Sequence, residues 1–317
     1  MTLQYSDMDD AVLTTQQAFV KKGAFLDMQT DISDHVAVRE MWKGRKKVFA
    51  GGHPWEFQAQ IDHNYSAHAV GLFETDGTAL TDTMIKGTVP ARHVNAHYIY
   101  DMREKDFQKG GKAIVDLVRT RYVAMMVSLF DYLEGVLWGV PDSGDVKTPF
   151  GIEYWITRST SEGFNGGNHA NFSSGKAGID QGATGQGRWA NWTNDYEEVT
   201  KEDLVRSMRK GHRNIQFRSP ISHSEPKVGG MKNGVYTNDT VLGIMEEVLE
   251  AQNMNLGNDL DSKGGRTMFK GTPVTYVPKL DDDTENPVYM LDWNWLAIGV
   301  MAGWENNLTK PYMVPGK

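Results

Sequence analysis

Residues 55–100 are the part of the sequence that most constrains how this chain can fold. Residues 57–61 alternate apolar and polar side chains, and residues 88–100 are rich in Val, Ile, Tyr, His and Thr, which is typical of a strand with one wetted face. Between them, Asp76 and Gly77 supply the positive φ values of a tight hairpin turn. A two-stranded hairpin is only marginally stable in water by itself. We therefore expect it to lie against another surface, and a neighbouring copy of the chain would provide one.

A long helix is predicted directly after this hairpin, over residues 112–138. Gly110 and Gly111 precede it, and Gly139 and Pro141 end it. At 1.5 Å per residue it would be roughly 40 Å long, enough to cross a whole domain. Its apolar residues recur at steps of three and four and so form one stripe: Ile114, Val118, Tyr122, Met125, Leu129, Leu133 and Val136.

Shorter elements are predicted in the second half of the chain. Residues 158–195 are rich in Gly, Ser, Asn and Thr but contain aromatic residues, which favours an ordered, irregular loop. Thr200 is typical of an N-cap, and the helix that follows it is expected to stop at Gly211. The remaining predictions are a helix over 239–253 and strands over 272–277 and 287–292, separated by the acidic turn 281–283. The fold class is therefore α+β.

The first 50 residues are predicted to form an arm, because their helical spacing is too weak for a domain. The arm ends in a basic cluster that consists of Lys43, Arg45, Lys46 and Lys47. This cluster is either a solvated loop or a contact with a polyanion. The whole chain is acidic, with 33 Lys and Arg against 41 Asp and Glu and a net charge of −8. That balance argues against a general nucleic-acid coat of the basic kind.

The sequence indicates no catalytic, cofactor or metal site, and we expect no enzyme. It contains no Cys, which excludes disulfides, thiolate nucleophiles and zinc or iron–sulfur sites built on Cys. A metal-dependent hydrolase would have to use histidines of the hairpin, but only His93 and His97 share a strand face, and His63 and His68 do not. Residues 185–190 match a dinucleotide fingerprint without the strand and helix that it requires.

Neither a secretory signal nor a membrane span is predicted. The first ten residues, MTLQYSDMDD, are polar and acidic, whereas a signal peptide begins with a basic and then an apolar region. The best uncharged apolar run, residues 122–130, is about half the length that a span requires. We therefore expect a protein of a cytosol-like compartment without a membrane partner.

The order of these elements resembles that of the major capsid proteins of tailed bacteriophages, whose fold is shared with encapsulins and the herpesvirus capsid floor. The local carriers of the resemblance are Tyr100-Asp101-Met102-Arg103 before the long helix, and the segments 269–274 and 287–292. The resemblance implies an N-terminal arm (1–48), an extended hairpin loop (49–100), a peripheral domain (101–215) with the long helix as its spine, and an axial domain (216–317) with C-terminal strands that return to the peripheral domain.

The resemblance also implies a function. The chain would self-assemble through hexamers and pentamers into an icosahedral shell that encloses double-stranded DNA, in a virion assembled in the host cytoplasm. The hairpin would lie over a neighbouring subunit, and the basic cluster would contact DNA without regard to sequence. Further partners would be a separate scaffolding protein, a portal and, optionally, a decoration protein. Some family members weld subunits through a Lys on the extended loop and an Asn elsewhere; Lys86 is the candidate here, and we expect no such bond.

The alternative is a carbohydrate-binding or tail-associated virion protein. In that hypothesis Trp155, Trp189, Trp192 and the Gly/Asn-rich loop form an aromatic platform. The other interpretation of the same residues is that they fix the loop to the core, since Trp mostly contributes buried area. We favour the second interpretation.

Overall fold

The computed structural model of the chain describes residues 35–42, 46–50, 54–60, 67–72, 83–99, 117–215, 233–253 and 267–303. These residues belong to two compact units. One unit contains the described residues up to 36 and those within 94–134, and the other contains those within 37–93 and from 135 onward. In the described part of the chain, no helix combines the length and the apolar character needed to cross a membrane.

The described residues form an α+β structure, as predicted. The α-helices are α1 (Val36–Trp42), α2 (Leu117–Trp138), α3 (Ile152–Trp155), α4 (Leu204–Ile215) and α5 (Asp239–Asn253), with a 3-10 helix at Pro278–Leu280. The strands are β1 (Lys46–Phe49), β2 (Trp55–Gln60), β3 (Met84–Val89), β4 (Gly163–Gly166), β5 (Asn191–Thr193), β6 (Asn233–Thr237), β7 (Met268–Phe269), β8 (Thr272–Tyr276), β9 (Tyr289–Asp292) and β10 (Ile298–Met301).

A four-stranded sheet with the order β7-β8-β6-β9 forms the core of the second unit. Strand β6 runs parallel to β8 and antiparallel to β9, and it is buried from Gly234 to Thr237. Successive side chains of a strand point to opposite faces. Val235 of β6 therefore faces the helices, where it belongs to a buried apolar cluster with Leu204, Met208, Val241, Met245, Phe269 and Val274.

Aromatic side chains cover the other face of the same sheet. Tyr236 and Tyr289 are directly opposite each other on β6 and β9. The ring of Trp138 lies 5.6 Å from that of Tyr236 and 5.9 Å from that of Tyr289. Trp293 packs edge-on against Tyr236 at 5.5 Å, and its indole N–H donates a hydrogen bond of 2.6 Å to the Tyr236 hydroxyl. Both faces of the sheet are thus covered by the chain itself.

Two of the predicted helices are confirmed by the structure. Helix α5 has the predicted bounds, and the side-chain oxygen of Asn238 caps it by accepting a hydrogen bond of 3.1 Å from the Val241 backbone N–H. Helix α2 ends at Trp138, as predicted, and residues 112–116 of the prediction lie outside the described residues. The described stripe residues Met125, Leu129 and Leu133 are half-buried.

The predicted end of the third helix is wrong. The Thr200 hydroxyl accepts a hydrogen bond of 3.3 Å from the Asp203 N–H, but residues 201–203 form a turn, so α4 begins later than predicted, at Leu204. The helix then continues through Gly211 to Ile215. Gly211 is buried, and a Cβ on it would lie 2.8 Å from the ring of Trp192. The glycine therefore gives Trp192 room to pack against the helix and does not terminate it.

The hairpin is confirmed, but its second strand was placed too late in the sequence. Strand β3 covers residues 84–89, not 88–100, and pairs antiparallel with β2 from Trp55↔Val89 to Gln60↔Met84. Residues 90–99 lie outside any described ladder, although their exposure still alternates. Successive side chains point in opposite directions in any extended chain, so the period-2 pattern did not distinguish a paired strand from an unpaired one. The predicted turn at Asp76 and Gly77 lies outside the described residues.

The first 50 residues contain paired structure that was not predicted. Helix α1 is followed by β1, which pairs in parallel with β10 in the register Lys46↔Ile298 to Phe49↔Met301. Lys46 and Lys47 therefore lie on a paired strand and not in a loop, although Lys47 is exposed to solvent. Residues 1–34 and 43–45 lie outside the described residues, and the bounds of the four predicted domains stay a prediction.

Candidate functional site

The two faces of the hairpin differ in polarity and in exposure. On β2, the odd-numbered residues from Trp55 to Ala59 are half-buried, and the even-numbered residues from Glu56 to Gln60 are exposed. Because the strands pair in register, Phe57 lies opposite Gly87, and Gln58 lies opposite Lys86. One face of the hairpin is thus apolar and faces its own chain, whereas the other presents a mainly polar surface to solvent.

Phe57 is the centre of the apolar face. Its ring centroid lies 6.0 Å from that of Trp55, 6.5 Å from that of Trp155 and 6.0 Å from that of Trp189. The ring crosses Gly87 on the paired strand so closely that a Cβ there would lie 2.5 Å from the ring. The two tryptophans belong to the 150s and to the Gly/Asn-rich loop, so the base of the hairpin packs against its own chain. The sequence had suggested a neighbouring copy as one source of this contact.

A backbone hydrogen bond also connects the hairpin to the loop. The Thr88 N–H of β3 donates to the Ala177 carbonyl at 2.9 Å. Ala177 adopts a positive φ of 56°, and its own N–H donates to the Tyr154 hydroxyl at 2.7 Å. A positive φ is unfavourable for Ala, so the conformation must be imposed by the surrounding contacts. The tight turn therefore points one carbonyl at the edge of β3.

Lys176 holds this turn in place from inside the protein. It is buried, with 3% exposure, and its ammonium donates to the Trp155 carbonyl at 2.8 Å, the Gly166 carbonyl at 3.0 Å and the Asn191 side-chain oxygen at 3.0 Å. The burial lowers the pKa of Lys176 to about 8. At neutral pH the ammonium form still predominates, and its three N–H groups match the three acceptors.

Sequence reasoning missed the role of Lys176. The local sequence Gly175-Lys176-Ala177-Gly178 is typical of a polar surface turn. The acceptors come from positions 155, 166 and 191, so no local pattern indicates that this lysine is enclosed. The unusual number of Asn and Gly residues around it was the available signal, since buried polar groups need compensating partners.

A second ionic contact joins the start of the loop to the sheet. The Arg158 Nε donates to the Tyr289 hydroxyl at 3.0 Å, and the guanidinium also binds Asp283 and lies near Glu153. Burial raises the pKa of Tyr289 to about 12, which keeps its hydroxyl protonated. The loop is therefore attached both to the hairpin and to the C-terminal sheet.

The described part of the basic cluster consists of Lys46 and Lys47, because Lys43 and Arg45 lie outside the described residues. The Lys46 ammonium lies 4.1 Å from the centre of the Trp42 ring, and that of Lys47 lies 5.3 Å from the centre of the Trp55 ring. Cation–π contacts of this kind hold the lysine side chains without neutralising them. Each of the two lysines is thus held against an aromatic ring of its own chain.

Lys86 lies on the exposed face of the hairpin. Its ammonium forms an ion pair of 2.6 Å with Glu56, and the two side chains are 56% and 47% exposed. Lys86 and Glu56 are diagonal neighbours on the paired strands, so the contact follows from the register. The described structure brings no Asn to Lys86, and its role as a cross-linking residue stays a prediction.

The three tryptophans of the platform hypothesis are half-buried by their own chain. Trp155 and Trp189 pack with Phe57, and Trp192 packs against Gly211. The indole nitrogens of Trp189 and Trp192 are enclosed and cannot reach a ligand from the surface. Phe172 likewise packs against Phe150 and Tyr154, which leaves Phe164 as an exposed aromatic residue of this loop. The geometry supports the interpretation that the aromatics fix the loop to the core.

The histidines of the hairpin do not come together in the described residues. His93 and His97 are both exposed on an extended segment, and His63 lies outside the described residues. Across the described ranges, no group of three or more His, Cys, Asp or Glu side chains could hold a metal ion. The metal-dependent hydrolase hypothesis therefore gains no support from the geometry.

Comparison with known proteins gives a match among solved structures. No family model and no curated protein matches the sequence. Among solved structures, the chain is similar to a chain described as the cyanophage A-1(L) capsid asymmetric unit, with a TM-score of 0.57 and 16% sequence identity over 88% of this chain and 76% of that chain. At this identity the likeness concerns the fold. It confirms, at that level, the resemblance that the order of elements had indicated.

Proposed function

We propose that this chain is a capsid protein of a bacteriophage and a structural component of the virion, not an enzyme. The observation that carries the proposal is the shared fold with a chain of the cyanophage capsid asymmetric unit, which extends over 88% of this chain. A likeness that covers most of both chains is what a subunit with the same architectural role would show. Fold alone does not determine function, so the proposal also needs surfaces suited to assembly.

Two surfaces of the chain support repeated self-association. The outer face of the hairpin is exposed and mainly polar, although its inner face is packed against its own loop. On α2, the stripe residues Met125, Leu129 and Leu133 are half-buried, and Val123 and Tyr132 are 42% and 48% exposed. Val123 and Tyr132 are nine residues apart and so lie on opposite sides of the helix, where each is open to contact with another protein. We propose that neighbouring copies cover both surfaces.

In its finer form, the proposal is a major capsid protein that assembles through hexamers and pentamers into an icosahedral shell in the host cytoplasm. Such rings are built from heterologous contacts, in which two different surfaces of identical subunits meet. The extended hairpin loop would contribute one of those surfaces. A separate scaffolding protein, a portal and, optionally, a decoration protein would complete the assembly.

The basic cluster would contact the enclosed double-stranded DNA. Lys46 and Lys47 lie next to each other on β1, each against an aromatic ring, and Lys43 and Arg45 precede them in the sequence. Contacts with phosphate are electrostatic and independent of base sequence, and each one adds to the salt dependence of binding. An acidic chain with one short basic cluster would hold its genome weakly.

Electron microscopy of the purified protein tests the proposal directly. We expect rings or closed particles, and a homogeneous monomer of 35.5 kDa at high concentration would contradict a capsid role. Binding of DNA is a separate test: replacing Lys46 and Lys47 with Gln should reduce the salt dependence of DNA binding, by a slope of roughly one per lost contact. Lys147→Gln, at an exposed lysine outside the cluster, is the control. An unchanged slope would contradict the proposed contact with DNA and would not affect the proposed assembly into a shell.

A further inference from the structure

A cavity of about 180 Å³ lies between helices α4 and α5 and the turn that joins β7 to β8, and all of its walls belong to the second unit. Its floor is apolar: Met245 and Phe269 belong to the buried cluster of the sheet, and Val205 packs against that cluster. Sites for small organic ligands usually enclose roughly 300–1,000 Å³, which is more than this cavity offers. Its size instead suits one apolar side chain of a protein partner, inserted as an anchor residue.

The edge of the cavity is positively charged. Lys201, Arg209 and Lys270 line it and are exposed; we call these three residues the cationic rim. In the described part of the chain, none of the three has an acidic partner, and Lys270 instead lies 3.4 Å from a ring nitrogen of His212. An occupant of the cavity should therefore combine an apolar side chain with carboxylates next to it.

Nearby carboxylates make other contacts and do not cover the rim. Glu202 forms an ion pair with Arg206 on the exposed side of α4. Glu246 accepts a hydrogen bond of 3.2 Å from the Thr267 hydroxyl. The rim is thus a local concentration of positive charge in a chain whose net charge is −8.

The loop that follows helix α2 has the complementary chemistry. Val146 is 75% exposed, Asp145 precedes it directly, and the Asp145 N–H donates to the Asp142 carbonyl at 3.0 Å, which closes a turn. The Asp145 carboxylate accepts hydrogen bonds from the backbone N–H groups of Lys147 and Thr148, at 2.7 and 3.2 Å. The loop is therefore already ordered, which reduces the entropic cost of docking it.

A single copy of the chain does not join these two surfaces. The loop and the cavity both belong to the second unit, yet the loop contributes no residue to the cavity and Val146 stays exposed. We propose that Val146 of one copy inserts into the cavity of a neighbouring copy, with Asp142 and Asp145 on its cationic rim. This contact rests on the proposed function and deepens it, because rings are built where two different surfaces of identical subunits meet.

Other exposed apolar side chains of the second unit fit the cavity less well. Phe164 is 55% exposed, but Glu162, the carboxylate nearest to it in sequence, is bound to Lys210. Tyr276 is 37% exposed, and its hydroxyl donates to the Asp281 carboxylate at 2.5 Å. Val146 combines high exposure with carboxylates that have no lysine or arginine side chain bound to them.

DNA would also be attracted to the cationic rim, but it matches the cavity less well than the loop does. Phosphate contacts are electrostatic and use no apolar anchor, so DNA would leave the floor of the cavity unfilled. Lys147 offsets one of the two negative charges of the loop, which makes the fit of Val146 the larger part of the contact. A protein partner is therefore favoured over a nucleic acid.

Disulfide trapping between copies tests this contact, and the natural chain has no Cys that would interfere. Val146→Cys is combined in the full chain with Val248→Cys or with Met268→Cys, two positions that line the cavity on different elements. After assembly and oxidation with copper–phenanthroline, we expect at least one pair to give a ladder of multimers on a non-reducing denaturing gel. None of the three single variants should give a ladder, since the contact joins two different surfaces.

Val146→Cys with Gly243→Cys is the matched control pair. Gly243 is exposed on α5, no atom lies within 4 Å of a Cβ added to it, and it is about 140° around the helix from Val248. We expect at least tenfold less ladder from this pair. An equal yield from the control pair, or no ladder from either cavity pair, would overturn the proposal.

Charge reversal tests the part played by the rim. Arg209→Glu should lower the ladder about three- to tenfold, which corresponds to the loss of one exposed ion pair and the repulsion that replaces it. Arg213→Glu alters the same helix outside the cavity and should leave the yield unchanged. Adding Asp142→Arg to Arg209→Glu should restore part of the yield. If Arg209→Glu weakened DNA binding and left the ladder intact, the rim would be a DNA contact and the docking would be wrong.

Electron microscopy of the same samples separates this contact from the proposed function. Particles that form without a ladder from either cavity pair would contradict the docking and leave the capsid proposal intact. A ladder in the absence of rings or particles would support the docking and contradict the capsid proposal. The absence of both would contradict both.

Discussion

The C-terminal sheet and the hairpin differ in how much of their strand surface the chain itself buries. Strand β6 is buried on both faces, by the apolar cluster around Val235 and by the aromatic group around Tyr236. Strand β2 of the hairpin alternates half-buried and exposed residues, and of its two faces in the described part the one with Phe57 packs against the chain. Burial of apolar area is the main stabilising contribution to folding. The sheet is therefore stable within one chain, whereas the hairpin has a face left over for a partner.

The largest loss of stability is expected from a substitution in the C-terminal sheet. Trp293 is 1% exposed and donates its indole N–H to Tyr236, so Trp293→Ala leaves a cavity and an unpaired buried hydroxyl. We expect the free energy of unfolding to fall by about 3–5 kcal/mol, measured by denaturant titration of the unassembled protein. Trp295, at 53% exposure, is the matched control, and Trp295→Ala should change the value by less than about 0.5 kcal/mol. Similar losses at the two positions would contradict the difference between core and surface described here.

Lys176, beneath the base of the hairpin, should make stability depend on pH. Its pKa is about 8 in the folded chain and 10.5 ordinarily, so between these values the unfolded chain holds a proton that the folded chain has lost. This group then raises the free energy of unfolding as the pH rises from 8 to 10.5, by up to about 3 kcal/mol. Lys176→Met should lack that rise, although it is less stable overall because three acceptors lose their donor. Denaturation at pH 7.5 and pH 10 measures the difference.

Lys86→Met is the control for that experiment, since Lys86 is exposed and lies on the other face of the hairpin. Its pH profile should run parallel to that of the natural chain. If the Lys176→Met profile were parallel as well, the enclosure of Lys176 would not be energetically important.

A smaller and more local effect is expected inside the hairpin. Gly87→Val places a side chain where a Cβ alone would lie 2.5 Å from the Phe57 ring, so the ring must move off the strand. Overpacking of this kind costs about 1–3 kcal/mol. Hydrogen exchange should accelerate in residues 55–60 and 84–89 and stay unchanged in β6 and β9. Gly135→Ala, where no atom lies within 4 Å of the added Cβ, is the control; acceleration that spreads to the sheet would mean that hairpin and sheet unfold together.

The smallest change in stability is expected from a substitution on the outer face of the hairpin. Lys86 and Glu56 form an exposed ion pair, so Lys86→Ala should change the free energy of unfolding by less than about 1 kcal/mol. Assembled particles boiled in denaturant should release a single band near 35.5 kDa. A ladder of multimers would show covalent bonds between subunits, and loss of that ladder in Lys86→Ala would identify Lys86 as their source.

Periodic elements could be predicted from the sequence, and elements defined by distant partners could not. Helix α5 was predicted from apolar residues on one side of it, and strands β8 and β9 were predicted close to their observed bounds. Strand β6 was missed because it is short, contains Gly234 and is buried on both faces, so it shows no alternation. Its partners are β8 and β9, which follow far along the chain.

The candidate site was predicted in outline only. The hairpin, and the expectation that it packs against another surface, could be predicted from alternating polarity and turn residues. The contact between Gly87 and Phe57 can be inferred only when the register of the two strands is known. Gly211 has the composition of a helix end, and its packing role against Trp192 has no local signature. The same holds for Lys201, Arg209 and Lys270, which line one cavity only because the fold brings them together.

The pairing of β1 with β10 bears on the timing of synthesis. Lys46 lies beside Ile298, so the ribosome must add about 250 residues after β1 before its partner exists. At roughly 5–20 residues per second, β1 remains without this partner for about 10–50 seconds. A nascent chain therefore cannot close this pair. If the assembly surfaces depend on the pairing of β1 with β10, a chain can join a growing particle only after β10 has been synthesised. Translation products truncated before β10 would then not be incorporated.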